Sequence, residues 1–329
     1  MRIGVFCSGG DAPGMNACVR AVVRTALLHG HQVVGIQRGY QGLLDEEFYH
    51  NKNGEALMTP HCVAGWAQYG GAFLKSSRCD EFRTREGQEK AASILRKHQI
   101  DALIPIGGDG TFHGAVALAD VWDGLIVGCP GTIDNDLIGT DYTIGFSTAV
   151  QTAVDCVDKV HDTADSHDRM FLIEVMGRHS GYIAAYTGIS TGGEILAIPE
   201  TPTDFPEIVA KLNELKQRGK TSILMIVAEG DEEGGAEILN EQLKKHDCPF
   251  PTRVLVLGHL QRGGTPTPED RRRASHMGYG AVTALMRGET GVMIGTQNDA
   301  CVSVPFETTY AEHRAIPQQL LDLVDTLAS

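Results

Sequence analysis

Short apolar runs rich in β-branched residues alternate along this chain with longer amphipathic segments. Strand-like runs lie at 3–6, 33–36, 103–106, 126–127, 171–175, 195–198, 223–227 and 254–257, and helical patterns at 15–28 and 86–97. This alternation predicts an α/β fold with mainly parallel sheets flanked by helices. Right-handed crossovers then place the loops that follow the strands at the carboxyl ends, where open α/β sheets bind their ligands.

Length and composition limit the classes of protein to which the chain can belong. Its 329 residues suffice for two domains, and 42% hydrophobic with 21% charged residues is typical of a soluble globular protein. No apolar stretch approaches the roughly 20 residues of a membrane span, and a strand begins at the N-terminus, so we expect no membrane association and no signal peptide. Eight cysteines without C-x-x-C spacing predict reduced thiols in a cytoplasmic protein. A net charge of −14 argues against a nucleic-acid partner.

Two glycine-rich acidic clusters carry most of the chemical information. The first is Gly-Gly-Asp-Gly-Thr at 107–111, the second is Pro-Gly-Thr-Ile-Asp-Asn-Asp at 130–136, and each follows a strand-like run. Glycine turns at strand ends let backbone N–H groups approach a phosphate closely, and nearby carboxylates can hold Mg²⁺ or accept a hydroxyl proton. If the second cluster is extended, Asp134 and Asp136 share one face, where a cation would offset their repulsion. The clusters predict phosphoryl transfer, against the alternative of simple turns.

Further segments are compatible with anion binding but leave the choice open. The loop at 7–16 is either a phosphate-binding turn or a tight βα turn whose Asp11 caps the next helix, and it is not a Walker A sequence. Glycine-flanked arginines at 70–78 and 258–264 can clamp a phosphate, although a single arginine more often forms a surface ion pair. The basic run at 271–273 is interpreted as a solvated first helical turn.

Taken together, the ordered motifs resemble the bacterial 6-phosphofructokinases almost from end to end. The resemblance rests on the segments at 8–16, 107–111, 130–136, 139–146, 174–178 and 257–264. It implies two similar α/β domains with the active site in the cleft between them. The nucleotide-binding domain would be 1–145 plus about 261–311, and the sugar-phosphate-binding domain 146–260 plus about 312–329. The implied reaction is ATP-dependent phosphorylation of D-fructose 6-phosphate at the 1-hydroxyl, which gives fructose 1,6-bisphosphate and ADP in glycolysis.

The resemblance also implies roles for the residues that match the family motifs. Asp134 would be the general base, and Thr132 would lie beside the transferred phosphoryl group. Arg78 would neutralise charge on that group, with Arg178 in the same catalytic set. The nucleotide site would comprise Gly10, Arg78, Cys79, Gly108, Asp109, Gly110, Thr111 and Gly114. The sugar-phosphate site would comprise Thr132, Ile133, Asp134, Arg169, Met176, Gly177, Arg178, Glu229, Arg253, His259, Leu260, Gln261 and Arg262.

A metal ion and a second subunit are implied as well. Asp109 and Asp136 would serve Mg²⁺, the usual companion of a nucleoside triphosphate. Arg169 and Arg253 would reach the 6-phosphate of the substrate from a neighbouring subunit. We therefore expect a homodimer or homotetramer with shared active sites.

Two glycines bear on the identity of the phosphoryl donor. Pyrophosphate-using relatives have aspartate where this chain has Gly110 and lysine where it has Gly131. Missing side chains leave room for the α-phosphate and nucleoside of ATP, so we expect ATP, with a pyrophosphate-dependent phosphofructokinase as the alternative. A lipid or NAD kinase shares the first cluster but leaves 132–136 unexplained. A non-catalytic regulatory subunit on the same fold would have lost catalytic groups that are present here.

Regulation is where the chain departs from the family pattern. The candidate effector residues are Arg20, Arg24, Glu194, Arg218 and Lys220. His161 stands where the pattern has arginine, and the segment at 46–66 is longer and lacks the expected charged residues. Because a neutral imidazole binds phosphate less strongly than a guanidinium, we expect weak or altered control by ADP and phosphoenolpyruvate.

Overall fold

The computed structural model describes residues 1–312 and 314–328, which divide into two units. Among these residues, unit 1 comprises 1–133, 137–148 and 262–312, and unit 2 comprises 134–136, 149–261 and 314–328. The chain therefore passes between the units more than once. One passage lies between Ile133 and Asp134, inside the second acidic cluster.

Strands and helices alternate along most of the chain. The strands are β1 (Arg2–Cys7), β2 (Gln32–Gly35), β3 (Ala102–Gly107), β4 (Leu125–Thr132), β5 (Ile144–Gly145), β6 (Met170–Val175), β7 (Ile195–Ala197), β8 (Ile223–Ala228), β9 (Thr252–Val256), β10 (Val292–Gln297) and β11 (Ala300–Pro305). The helices are α1 (Met15–Leu28), α2 (Gly39–Leu44), α3 (Arg85–Lys97), α4 (Asp109–Ala119), α5 (Phe146–Ser166), α6 (Tyr182–Thr191), α7 (Phe205–Gln217), α8 (Ala236–Lys245), α9 (Pro268–Met286), α10 (Phe306–Thr309) and α11 (Gln318–Leu327). Short 3-10 helices lie at Trp66–Gln68, Glu81–Arg83 and Gly258–Arg262.

Unit 1 is built on a seven-stranded sheet in the order β11-β10-β4-β3-β1-β2, with β5 beside β4. All pairs are parallel except the β10–β11 hairpin. Every residue of β3 is buried, as expected of a central strand covered by helices on both faces. The register pairs Cys7 with Ile106 and Gly107 with Pro130, so the ends of β1, β3 and β4 meet at one edge.

Unit 2 contains a four-stranded parallel sheet in the order β7-β8-β6-β9. All six residues of β8 are buried, and its apolar core continues into α7 and α8 through Leu212, Leu215 and Leu239. The carboxylate of Asp204 begins α7 by accepting the Glu207 N–H at 3.0 Å. Both units thus have parallel α/β architecture, although their sheets differ in strand number.

The predicted fold class is confirmed, and the differences in detail have physical causes. The β10–β11 hairpin was not predicted from the sequence. Its turn residues Asn298 and Asp299 have φ of 49° and 62°. Two consecutive left-handed residues are typical of a two-residue hairpin turn, so the Asn-Asp pair was the available signal. Pro130 and Gly131 were predicted to lie in a turn, but they continue β4 because it pairs with both β3 and β5.

The structure bears on the state of the cysteines and on the presence of membrane-spanning helices. All eight cysteines are free thiols. Within residues 1–312 and 314–328, every helix is too short or too polar to cross a bilayer.

Candidate active site

The first part of the candidate site lies where the strand order of unit 1 reverses. Strands β2 and β3 lie on opposite sides of β1, and ligands bind beyond the carboxyl ends of strands at such a point. The Ser8 N–H donates to the Ile106 carbonyl at 2.9 Å, which joins the loops after β1 and β3. A Cβ added at Gly107 would lie 2.2 Å from Thr111 Oγ1 and 2.6 Å from the Ser8 carbonyl oxygen. Only glycine permits this approach.

The N-terminus of α4 opens toward free space beside the first cluster. Gly108 is its N-cap and supplies no side-chain acceptor, and Asp109 begins the first turn. A Cβ added at Gly110 would meet no other atom within 4 Å, beyond its chain neighbours and the local helix backbone. The first N–H groups of a helix have no partner inside it and carry partial positive charge, so this end is suited to a phosphate.

Strand pairing in the sheet brings the start of the second cluster next to the first cluster. Because Gly107 pairs with Pro130, the end of β4 lies next to the end of β3. A Cβ added at Gly108 would lie 3.5 Å from the Thr132 Cβ. Thr132 is thus brought beside the α4 N-terminus, which is the position that its predicted role requires.

Beyond Thr132 the chain leaves the strand and turns. The expectation of an extended segment at 134–136 is wrong, because Asn135 is left-handed with φ of 53°. Asp134 is only 3% exposed, and its carbonyl accepts the Ser180 hydroxyl at 2.9 Å. Arg314 Nη1 donates to the Asn135 carbonyl at 3.3 Å. These contacts within unit 2 hold the backbone around the candidate base. Because the segment is not extended, the two-residue spacing of Asp134 and Asp136 does not place them on one face.

The segment that carries Arg78 is tied to the first glycine loop. Buried Asn16 donates from Nδ2 to the Tyr69 carbonyl at 3.0 Å and accepts the Phe73 N–H at 2.8 Å. The Ser76 hydroxyl donates to the Gly9 carbonyl at 2.6 Å. Arg78 itself is exposed, which leaves its guanidinium accessible to an anion. The motif at 8–16 contains Asn16, but no role was predicted for it.

Three further residues of the predicted set, Arg262, Gly10 and Gly114, have close contacts within unit 1. Arg262 Nη1 donates to the Asp11 carbonyl at 3.2 Å, and a Cβ at Gly10 would lie 2.6 Å from the same nitrogen. Asp11 does not cap α1, whose N-cap is Gly14, so the predicted Asp11 cap is wrong. At Gly114 a Cβ would meet Tyr40, whose hydroxyl donates to the Thr111 carbonyl at 2.8 Å.

The sugar-phosphate candidates of unit 2 gather at the carboxyl edge of its sheet. Met176, Gly177 and Arg178 follow β6, Glu229 follows β8, and His259, Leu260 and Gln261 follow β9. The Glu229 carboxylate accepts the Arg178 N–H at 2.9 Å, and buried Gln261 accepts the Met176 N–H at 2.8 Å. Arg178 has φ of 53°, an uncommon backbone conformation that these bonds support. Exposed His259 and Leu260 complete the edge.

Arg169 and Arg253 lie elsewhere in unit 2. Arg169 immediately precedes β6, and Arg253 is the second residue of β9, paired with Phe171. Both therefore lie toward the amino edge of the sheet, opposite Arg178 and His259. This position separates them from the other sugar-phosphate candidates of the same sheet.

The acidic residues fit a magnesium ion held mainly by phosphate. Asp109 belongs to unit 1 and half-buried Asp136 to unit 2. Among the described residues there is no group of three or more histidine, cysteine, aspartate or glutamate side chains that could hold a metal. Mg²⁺ bound with a nucleotide characteristically takes one or two carboxylates, with phosphate oxygens and water as its other ligands. The Asp109 carboxylate, in the first turn of α4, is a hard oxygen donor of the kind that this set requires.

The candidate effector residues are distributed over both units. Arg20 and Arg24 lie one turn apart on α1. In unit 2, buried Glu194 pairs with Lys220 and accepts the Leu224 N–H at 2.8 Å, while Arg218 pairs with Glu214. Glu194 and Lys220 therefore have structural partners within their own unit. The expectation of altered regulation stays a prediction.

A parallel α/β fold with a phosphate cradle at its switch point and carboxylates in the adjoining loops is typical of enzymes that handle phosphorylated substrates. The family model described as Phosphofructokinase matches residues 2–285. ATP-dependent 6-phosphofructokinase 1 of Thermus thermophilus is 48% identical over 328 residues, which cover 99% of each chain. The Thermotoga petrophila ATP-dependent 6-phosphofructokinase is 44% identical over 327 residues, again 99% of both. The chain belongs to the phosphofructokinase family.

Solved structures show the same fold. The phosphofructokinase of Saccharomyces cerevisiae superposes with a TM-score of 0.84 at 34% identity, covering 99% of this chain and 48% of the yeast chain. This chain thus spans about half the length of the yeast chain. A pyrophosphate-dependent phosphofructokinase from Marinobacter aquaeolei superposes with a TM-score of 0.84 at 21% identity, covering 100% of this chain and 92% of the other. The second likeness concerns the fold alone.

Proposed function

We propose that this protein transfers the γ-phosphoryl group of ATP to the 1-hydroxyl of D-fructose 6-phosphate in the cytoplasm, as a step of glycolysis. The observation that carries the proposal is the position of Thr132 beside the N-terminus of α4, two residues before buried Asp134. A phosphate cradle and a candidate base are thereby joined by one short stretch of chain. The names of the relatives that match this chain over nearly its whole length support the same reaction.

The chemistry assigned to the residues is an in-line displacement. The Asp134 carboxylate takes the proton of the 1-hydroxyl as that oxygen bonds to the γ-phosphorus, the bond to the bridging β,γ-oxygen breaks, and ADP leaves. The first-turn N–H groups of α4 and the Arg78 guanidinium stabilise negative charge on the phosphates. Asp109 and Asp136 would hold Mg²⁺, which would supply positive charge to offset the negative charge of the phosphates.

Recognition of the sugar phosphate is assigned to the carboxyl edge of the unit 2 sheet. Arg178 and His259 supply donors there, and Glu229 accepts a sugar hydroxyl while it orients the loop before Arg178. Arg262, which belongs to unit 1, is assigned to the same substrate through the family resemblance alone. Arg253 lies toward the opposite edge, so we assign it, with Arg169, to the site of a neighbouring subunit. A homodimer or homotetramer with shared sites follows from this assignment.

Pyrophosphate is the alternative donor. The open space at Gly110 favours ATP, because a donor with an α-phosphate and a nucleoside needs room that pyrophosphate does not. Gly131 is different: a Cβ there would lie 2.7 Å from Met15 Cε and 3.0 Å from Ile106 Cγ2. Packing alone explains the absence of a side chain at this position. Only the open space at Gly110 therefore supports ATP as the donor.

Turnover by Asp134→Asn tests the proposal. The substitution keeps the shape of the side chain but removes the base, so we expect kcat with ATP and fructose 6-phosphate to fall about 10²- to 10⁴-fold. Asp120→Asn, at the exposed C-cap of α4, is the matched control and should leave kcat unchanged. Near-normal turnover by Asp134→Asn would show that Asp134 is not the base. Faster turnover with pyrophosphate, releasing phosphate and no ADP, would show that the donor assignment is wrong.

A further inference from the structure

Asp270 is the most deeply buried carboxylate of unit 1 outside the candidate site. It is the third residue of α9 and only 1% exposed. Its N–H donates to Oγ1 of Thr267, the N-cap of α9, at 3.2 Å. In an ordinary capping box the side chain at this third position would reach back to its own N-cap. Here it does not.

The Asp270 carboxylate instead caps a different helix. Oδ1 accepts the N–H of Gly145, the residue before α5, at 2.9 Å. Oδ2 accepts the N–H and the hydroxyl of Thr148 at 2.8 and 2.5 Å. Thr148 Oγ1 in turn accepts the Thr267 N–H at 3.0 Å. The two helices therefore exchange caps, each third-position side chain serving the start of the other helix.

Gly145 connects this exchange to both phosphate loops. In β5 it pairs with Thr132 of β4, and the Thr143 hydroxyl donates to the Thr132 carbonyl at 2.6 Å. Gly145 has φ of 106°, and a Cβ there would lie 2.6 Å from the Ala12 Cβ and 3.2 Å from Ile133 Cγ2. It is thus packed between the loop after β1 and the residue that precedes Asp134.

We propose that Asp270 is a positioning residue, which holds Gly145 and thereby fixes the first glycine loop and the end of β4 relative to each other. The inference rests on the proposed roles of Thr132 and Asp134, because alignment at that strand end matters only if phosphoryl transfer takes place there. Asp270 itself touches no substrate. Its effect passes through one N–H group and the strand pair beyond it.

Asp270→Asn tests this inference directly. A carboxamide has one acceptor oxygen, so it cannot serve both Gly145 and Thr148, and its NH₂ group then faces an N–H donor. We expect kcat to fall about 10- to 100-fold, because small misplacement of reacting groups slows the chemical step, while KM for each substrate changes less than about threefold. Amide exchange at Gly145, followed by NMR, should accelerate at least about tenfold.

Two control variants separate positioning from general destabilisation. Asp204→Ala removes the N-cap acceptor of α7 in unit 2 and should leave both kcat and exchange at Gly145 unchanged. Thr148→Val removes the hydroxyl but keeps the Gly145 bond, so its kcat should stay within about threefold of wild type.

The outcomes distinguish the inference from the function on which it rests. Unchanged kcat in Asp270→Asn, or reduced kcat without faster exchange at Gly145, would overturn the positioning role. Full activity of Asp134→Asn would overturn the proposed function instead, whatever Asp270→Asn does to exchange. If Asp270→Asn does not fold, wild-type protein still decides the matter: a Gly145 amide that exchanges as fast as an unstructured chain contradicts the inference.

Discussion

Substituting Gly110 by aspartate places a charge in the open space at the start of α4 with little expected effect on folding. No atom lies within 4 Å of the added Cβ, beyond its chain neighbours and the local helix backbone, and Gly110 is not among the glycines with positive φ. Aspartate gains a few tenths of a kcal/mol in helix propensity over glycine and about 0.3–1 kcal/mol from the helix N-terminus. Repulsion from Asp109 opposes these gains. The free energy of unfolding should therefore change by less than about 1 kcal/mol.

The expected effect of Gly110→Asp on catalysis is much larger. If the α4 N-terminus binds the phosphates of ATP, a carboxylate added in its first turn would lie roughly 5 Å from a phosphate charge, within the terminal turn over which helix-end charges act. At an effective dielectric constant of about 20 to 40, Coulomb repulsion at that distance is about 2–3 kcal/mol. At 1.36 kcal/mol for each factor of ten, kcat/KM for ATP should fall about 30- to 200-fold.

Steady-state assays of Gly110→Asp and Gly110→Asn, together with thermal unfolding, separate charge from size. The asparagine variant adds nearly the same volume without charge and should keep kcat/KM for ATP within about fivefold of wild type. Both variants should unfold within about 4 °C of wild type. Full ATP activity in Gly110→Asp would refute the placement of the phosphates. An equal loss in Gly110→Asn would refute the electrostatic reasoning.

Two other predictions concern assembly and acid stability. Inactive Asp134→Ala and Arg253→Ala proteins, mixed and reassembled, should recover about a quarter of wild-type activity if sites are shared in a dimer, since half the dimers are hybrids with one intact site. No recovery would place both residues in one subunit's site. The hydrogen bond with Arg272 is the main cause that lowers the pKa of Glu269 in the folded protein. Above its unfolded pKa of about 4.5, this glutamate therefore stabilises the fold. The stabilisation is lost as pH falls through the lower folded pKa. Glu269→Gln should therefore lose less Tm than wild type between about pH 5 and 3, and an identical acid profile would contradict this.

The elements whose signal is local were predictable from sequence. The helix predicted at 15–28 has those bounds in the structure. Its apolar spacing and its flanking glycines all lie within one short stretch of sequence, so they can be recognised without knowledge of the tertiary structure. Strands such as β3 and β8 were identified because they are buried on both faces and read as continuous apolar runs. The glycine and aspartate motifs were also visible in the sequence, and the role proposed for each residue came from the resemblance.

Contacts between distant parts of the chain were not predictable. Thr267 and the acidic residues after it indicate the start of a helix, yet nothing local shows that Asp270 caps a helix whose start is 125 residues away. Likewise, nothing local connects Arg314 to the carbonyl of Asn135. Hydrophobic periodicity reports which face of an element is buried, but a hydrogen bond between two loops depends on the tertiary arrangement.

Gly110 and Gly131, which had the same interpretation in the sequence, have different surroundings in the structure. Gly131 is packed against Met15 and Ile106, so a lysine there would require those side chains to move whichever donor the enzyme uses. Gly110 faces open space, so its missing side chain is not required by packing and is better explained by a ligand. Aspartate at 110 alone should therefore weaken use of ATP without creating use of pyrophosphate, because a side chain at 131 must be accommodated in a packed part of β4. We therefore expect donor choice to depend on one position that is free to vary and one that varies only with its neighbours.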